Sequence, residues 1–270
     1  MNYRHAYHAG NAADCVKHAL LVVLLRAMIA KPKPLFVLDT HAGIGAYDLA
    51  GIEAAKTGEW RSGIGRLRQM PPPALADFHD LVGDTDVYPG SPVLARALLR
   101  PRDRLALCEW HPDDAAALKR RFRGDPQVQV HWRDGYEAMI ALLPPPERRA
   151  LVLIDPPFEK ADEFATLAHT LAAAWQRFPV GVFAAWYPVK HRAPVRDFFA
   201  DLATRRMTDI IACEVLLREP LDPARLNGCG LLIVNPPYGF EAAAVPVLAA
   251  LRETLGEADG AATITRLADE

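Results

Sequence analysis

Eight residues, Leu151-Val152-Leu153-Ile154-Asp155-Pro156-Pro157-Phe158, constrain this fold more than any others. Four apolar residues run straight into a tetrapeptide stiffened by two prolines. An apolar run of that length, with β-branched members and a proline stop, reads as a strand buried on both faces, as in a parallel sheet. Residues 35–39, 104–109, 128–132, 181–187, 209–217 and 230–234 read as further strands. Helical stretches separate them at residues 12–29, 112–123, 162–177, 194–203 and 240–255, with another between Asp134 and Pro144. Seven strands alternating with helices predict an α/β, Rossmann-like open sheet, which places ligands at the carboxyl ends of its strands. An acidic tail is expected after the last helix.

Asp155-Pro156-Pro157-Phe158 leaves its strand at such an end. It offers a carboxylate, a backbone carbonyl held by rigid proline geometry, and an aromatic face. These suit a planar base with an exocyclic amine. Asp155 and the Pro156 carbonyl each accept one amine hydrogen, and Phe158 stacks on the ring. Two acceptors draw the nitrogen toward a nucleophilic form, a site for methylating an amino group. The bland alternative is a strand exit with an Asp cap. Asn235-Pro236-Pro237-Tyr238 matches the same pattern. Asp155 ends the fourth strand, beside the first, and Asn235 ends the seventh; strand order therefore assigns Asp155 to catalysis and Asn235 to a turn.

The first strand ends in Asp39-Thr40-His41-Ala42-Gly43-Ile44-Gly45, where small residues let a cofactor approach the backbone. It is not a full dinucleotide fingerprint, but an Asp ahead of the glycines resembles the first motif of S-adenosylmethionine-dependent methyltransferases. Glu109 closes the second strand, where a carboxylate can accept both hydroxyls of a ribose. Asp134-Gly135 closes the third, where a cofactor adenine would lie. Residues 46–91 do not fit one α/β step and read as a helical insertion, with pieces near 63–69 and 74–82. The core is then residues 1–45 and 92–270. Ser91 and Pro92 read as the N-cap and first residue of the next helix.

The formal net charge is −2, so contact with a polyanion must be local. The first ten residues are dense in aromatic, basic and His side chains, a composition suited to single-stranded nucleic acid. Basic clusters follow at Lys56, Arg61, Arg66 and Arg68, and at Lys119, Arg120, Arg121 and Arg123, although such clusters are more often solvated faces. His5, His8, Asp14 and His18 offer a metal alternative, ranked low because no second Cys/His cluster supports it. Cys15, Cys108, Cys213 and Cys229 lack CxxC spacing and read as reduced thiols in a cytoplasmic protein. No apolar run is long enough to span a bilayer.

The segment Tyr3-Arg4-His5-Ala6-Tyr7-His8-Ala9-Gly10-Asn11, with Asp14, Lys17 and His18, resembles the N-terminal signature of the RlmJ family of bacterial 23S rRNA adenine-N6 methyltransferases. So do the Asp39, Tyr88-Pro89-Gly90-Ser91-Pro92, Glu109, Asp134-Gly135, Asp155, Trp186-Tyr187-Pro188 and Asn235 motifs. The resemblance covers nearly the whole chain. It implies a methyltransferase core with a small inserted helical subdomain, and S-adenosyl-L-methionine held by His18, His41, Gly43, Ser91, Glu109, Asp134, Gly135 and Asp155. It implies catalysis by Asp155 with Pro156 and Phe158, and substrate contacts from Tyr3, Arg4, His5, Lys17 and Phe158. The implied partner is 23S rRNA, protein-free or early precursor, met by a monomer that needs no metal. Phe158 departs from the family's more usual Tyr, and Trp110 from Leu. The alternatives are a methyltransferase for DNA adenine or protein glutamine, and a metal-dependent hydrolase built on the N-terminal His/Asp cluster.

Overall fold

The computed structural model describes residues 4–269. A 3-10 turn at His5–Tyr7 leads into α1 (Ala12–Ile29). The Asn11 side chain accepts from the Asp14 amide and caps this helix. The chain continues through β1 (Phe36–Asp39), β2 (Ala46–Asp48), α2 (Ile52–Thr57), α3 (Ile64–Gln69), α4 (Ala76–Val82), β3 (Val87–Pro89) and α5 (Ser91–Leu98). Regular alternation follows with β4 (Arg104–Glu109), α6 (Pro112–Arg121), β5 (Val128–Trp132), α7 (Gly135–Leu142), β6 (Ala150–Ile154), α8 (Glu163–Arg177), β7 (Val182–Val189) and α9 (Arg192–Thr204). The chain closes with β8 (Ile210–Leu216), β9 (Gly228–Val234), α10 (Phe240–Leu255) and β10 (Ala261–Ala268).

One sheet runs in the order β10-β8-β9-β7-β6-β1-β4-β5. The pairs among β7, β6, β1, β4 and β5 are parallel, while β9 is antiparallel to both β7 and β8. The sheet has eight strands where seven were expected. The tail forms an edge strand, β10, antiparallel to β8. Its sequence carries only Ile264 and Leu267 as large apolar residues, because an edge strand covered on one side needs no continuous apolar run. Residues 46–91 hold short helices and also the β2–β3 pair, which joins Ala46 to Pro89.

Each sheet face carries its own apolar core. On one face lie α1, α5 and α10; on the other, α7, α8 and α9. The α1 helix is buried on nearly every side, against α10, α5 and β9, so its run of Leu20, Leu21, Leu24 and Leu25 is apolar all round rather than striped. Burying each of these leucines stabilises the fold by about 2 kcal/mol. No helix among the described residues is long and apolar enough to cross a membrane.

Parallel alignment brings the carboxyl ends of β1, β4, β5, β6 and β7 to one edge. The β9 strand runs the other way, so Asn235 emerges at the opposite edge. There its side-chain amide donates to the carbonyls of Pro179 and Gly181, just ahead of β7. The two proline tetrapeptides therefore sit on opposite edges of the sheet, a stronger separation than strand order alone implied.

Candidate active site

Asp155 follows β6 directly, with its neighbours Pro156 and Pro157 on the wall of a cavity of about 430 Å3. Phe158 takes a left-handed backbone conformation, φ 50°, which a non-glycine residue adopts at a cost of about 1–2 kcal/mol. That turn sets its ring edge-on to Phe164, 4.8 Å between centroids, and to Trp186, 5.8 Å. Pro156, Phe158 and Trp186 thus form an aromatic and proline-lined end of the cavity beside the Asp155 carboxylate.

The first turns of α1 reach the same point. Lys17 Nζ lies 2.5 Å from Asp155 Oδ2 and 2.9 Å from Asp14 Oδ1. The second Asp14 oxygen accepts from the Gly10 amide and meets His5 Nε2, each at 2.9 Å. Burial alone would lower the Lys17 pKa, but the two carboxylates outweigh it and hold it well above the usual lysine range. Burial likewise pushes Asp14 up, and the charges of His5 and Lys17 overcome it, leaving Asp14 well below the usual carboxylate range. The row His5–Asp14–Lys17–Asp155 is therefore one continuous chain of polar contacts, with Asp155 at its cavity end.

The putty for this network is local packing rather than propensity: a helix buried on all sides can hold Asp14, Lys17 and His18 only where each finds a partner. For His18 the partner is the Tyr88 hydroxyl, 2.8 Å from Nδ1. Burial drives its pKa down to about 3, so it is neutral. His8 pairs instead with Glu59, at 2.9 Å. Within the candidate metal quartet, His5 therefore pairs with Asp14, while His18 and His8 turn to Tyr88 and Glu59.

The other wall comes from β1, β4 and α5. Ser91 is not the N-cap of α5; Gly90 is, and the Ser91 hydroxyl donates instead to Asp39 Oδ2 at 2.7 Å. A buried carboxylate outranks a solvent-side cap as a partner. Asp39 lies behind the wall, and burial, with the nearby Asp155 charge, raises its pKa to about 6. His41 lies on the wall, its pKa pushed down to about 4 by burial. Gly43, φ 59°, donates its N–H to Glu109 Oε2 at 2.9 Å, and the His111 N–H reaches Oε1 at 2.7 Å. Those two bonds aim the Glu109 carboxylate, whose own pKa burial raises.

His18, His41, Gly43, Ser91, Glu109 and Asp155 thus share one cavity with His5, Lys17, Pro156 and Phe158. Asp134 and Gly135 are not on its wall. Asp134 caps α7 through the Tyr136 and Glu137 amides, and Gly135 packs under the Thr40–His41 turn, where a Cβ would come within 2.2 Å of the Thr40 carbonyl. Arg4 reaches His111 Nε2 at 3.3 Å and lines a smaller neighbouring hollow. Tyr3 lies outside the described residues. Asp14 and Asp39 stand in motifs that the sequence shows, whereas Tyr88 and Glu59 hold the site together unannounced, since their partners His18, His8 and Asn11 lie 70, 51 and 48 residues away. The Tyr88-Pro89-Gly90-Ser91 run was the one available signal for Tyr88.

The donor set fits a nucleoside cofactor. Glu109 is an aimed carboxylate beside a glycine turn, and His111 Nδ1 is buried near it with no hydrogen-bond partner among the described residues. Comparison with known proteins agrees. Residues 32–267 match the family described as ribosomal RNA large subunit methyltransferase D, RlmJ. The chain is 36% identical to ribosomal RNA large subunit methyltransferase J of Escherichia coli K12, over all of both chains. It is 37% identical to the Haemophilus influenzae protein of that name, over 94% of each. A crystal structure of the Legionella pneumophila protein LPL1258 superposes with a TM-score of 0.88 at 34% identity, covering 96% of this chain and 98% of that one. A probable spermidine synthase from Corynebacterium glutamicum shares the fold alone, with a TM-score of 0.52, 12% identity, and 92% and 74% of the two chains covered.

Proposed function

The chain belongs to the RlmJ family of large-subunit ribosomal RNA methyltransferases, and from that membership we propose that it methylates the N6 amine of an adenine in 23S rRNA, with S-adenosyl-L-methionine as donor. The observation that carries this reading is the Asp155 carboxylate, presented at the aromatic end of the cavity and backed by Lys17.

The bound donor would supply a methyl group made electrophilic by its sulfonium. Glu109 accepts the ribose hydroxyls, while His18, His41, Gly43 and Ser91 line the remaining wall. Asp134 and Gly135 support the adenine end from behind. The target adenosine leaves its stack and enters against Phe158. Asp155 and the Pro156 carbonyl accept the two N6 hydrogens, orienting the nitrogen lone pair along the transfer direction. Positioning of this kind supplies much of the rate. Transfer from the donor's sulfonium to N6 would move positive charge from sulfur onto N6, where the Asp155 carboxylate is placed to stabilise it. The surplus N6 proton then passes to solvent water, which restores the neutral amine. Lys17 holds the carboxylate in place, and His5 with Asp14 keeps Lys17 there. Tyr3, Arg4 and His5 meet the RNA.

In this reading residues 46–91 are an inserted subdomain on a core of residues 1–45 and 92–270. The enzyme acts as a cytoplasmic monomer, without metal, on protein-free or early precursor rRNA. The test is methyl transfer from labelled S-adenosylmethionine to unmodified 23S rRNA, with Asp155→Ala alongside. Label in N6-methyladenosine, absent with the variant, supports the reading. Transfer to DNA or protein but not RNA overturns its substrate.

A further inference from the structure

Residues 46–91 carry a cluster of contacts that the transfer chemistry does not itself use. All converge on the segment ahead of α1. Glu59 meets His8 Nδ1 at 2.9 Å with one carboxylate oxygen and accepts from the Asn11 side chain at 3.0 Å with the other. The Ile64 amide donates to the Gly10 carbonyl at 2.9 Å. The Thr57 hydroxyl donates to the Tyr7 carbonyl, and Lys56 Nζ stands over the Tyr7 ring, 5.6 Å from its centroid. Gly63 is pressed so closely on this segment that a Cβ would lie 2.2 Å from the Gly10 carbonyl.

The gripped residues lead directly to the reacting end of the cavity. Asn11 caps α1, three residues ahead of Asp14 and six ahead of Lys17. Gly10 donates its amide to Asp14, and His5 meets the same carboxylate. We propose that Glu59 is a positioning residue for methyl transfer: it holds the N-terminal segment through His8 and Asn11, and so sets His5, Asp14 and Lys17 against Asp155. This rests on the methyltransferase reading above. It gives residues 46–91 a role within the site, separate from any contact of their basic side chains with RNA. The charges agree with the geometry. Burial pushes the Glu59 carboxyl up, yet His8 and Asn11 outweigh it and hold it below its usual range, while the Glu59 bond raises His8.

The experiment compares wild type, Glu59→Ala and Glu59→Gln in methyl transfer to 23S rRNA at saturating S-adenosylmethionine, with amide hydrogen exchange of residues 4–11 measured on the same proteins. Glu59→Ala should lower kcat about 10- to 100-fold, the range expected when a reacting group is displaced by about an ångström. KM for RNA and the melting temperature should change far less. The His8 and Asn11 amides should exchange faster. Glu59→Gln should recover most of kcat, because its carbonyl can accept from Asn11 while its amide donates to neutral His8. Gly63→Ala, which removes no polar group, should reproduce the loss. Unchanged kcat in Glu59→Ala, a change in KM alone, or a Glu59→Gln no better than Glu59→Ala would each overturn the assignment. If wild type methylates no RNA, the functional reading fails. Exchange then decides the clamp alone, and unchanged exchange in Glu59→Ala sinks it.

Discussion

Replacing Lys17 with methionine removes one ammonium and leaves nearly the same apolar stem. In the wild type that ammonium touches Asp14 and Asp155 at 2.9 and 2.5 Å, so the two carboxylates approach within about 4–5 Å of each other. At an effective dielectric of about 20, two charges at that distance repel by roughly 3–4 kcal/mol. Removing one partner of a buried ion pair costs about 3–5 kcal/mol. We therefore expect urea unfolding at pH 7 to show a loss in that range. The surviving protein should turn over at least about 100-fold more slowly, because Asp155 swings away from Asp14. Single-turnover transfer, normalised to folded protein, separates the two effects. The pH dependence has a definite sign. Asp14 lies well below its usual pKa, so its contribution is present above about pH 4 and lost as pH falls further. Lys17 lies above its usual pKa, so its contribution persists through neutral pH and is lost only in strong base. Near-wild-type turnover in Lys17→Met, or a loss that vanishes after normalisation, refutes the network.

Three further outcomes are expected. Asp39, raised from 3.8 to about 6 in the fold, destabilises the protein as pH rises through that window by about 3 kcal/mol, so Asp39→Asn should flatten the stability profile between pH 4 and 6 and be the more stable form at pH 7; chemical denaturation across pH checks this. Gly43→Ala places a side chain at φ 59° and a Cβ 2.1 Å from the Tyr47 hydroxyl, so calorimetry should show S-adenosylmethionine affinity falling about tenfold, with partial recovery on adding Tyr47→Phe. Asn235→Ala loses two 2.7 Å hydrogen bonds and strains φ 54°, costing about 2–4 kcal/mol in urea unfolding, while methyl transfer well below the melting temperature stays at the wild-type rate.

What the sequence made legible follows from where each element lies. The parallel strands β1, β4 and β6 are central, so Phe36–Asp39, Arg104–Glu109 and Ala150–Ile154 must be apolar nearly throughout, and that continuity is visible in one dimension. The edge strand β10 is under no such demand, and a stretch of Ala, Thr and Arg passed for a tail. Ser91 misled for a related reason. Ser ahead of Pro is a sound helix-start signal, but the signal cannot know that a buried Asp39 lies opposite. The deepest omission was connectivity. Lys17 and Asp155 are 138 residues apart, and Glu59 and Asn11 are 48 apart. No periodicity encodes such pairs.

The two proline tetrapeptides show how topology converts a motif into chemistry. Asp155 and Asn235 each follow an apolar strand, precede two prolines and lie near an aromatic residue. The direction of the strand ahead of each separates their fates. The β6 strand runs with β1, so Asp155 arrives beside the glycine turn and beneath α1, where Lys17 meets it. The β9 strand runs against β7, so Asn235 arrives where the sheet begins, and its amide is consumed by two backbone carbonyls. There the prolines and the left-handed φ serve only to turn the chain toward α10. A tetrapeptide supplies acceptors and an aromatic face; a strand's direction decides whether a glycine turn and a buried ammonium stand opposite them.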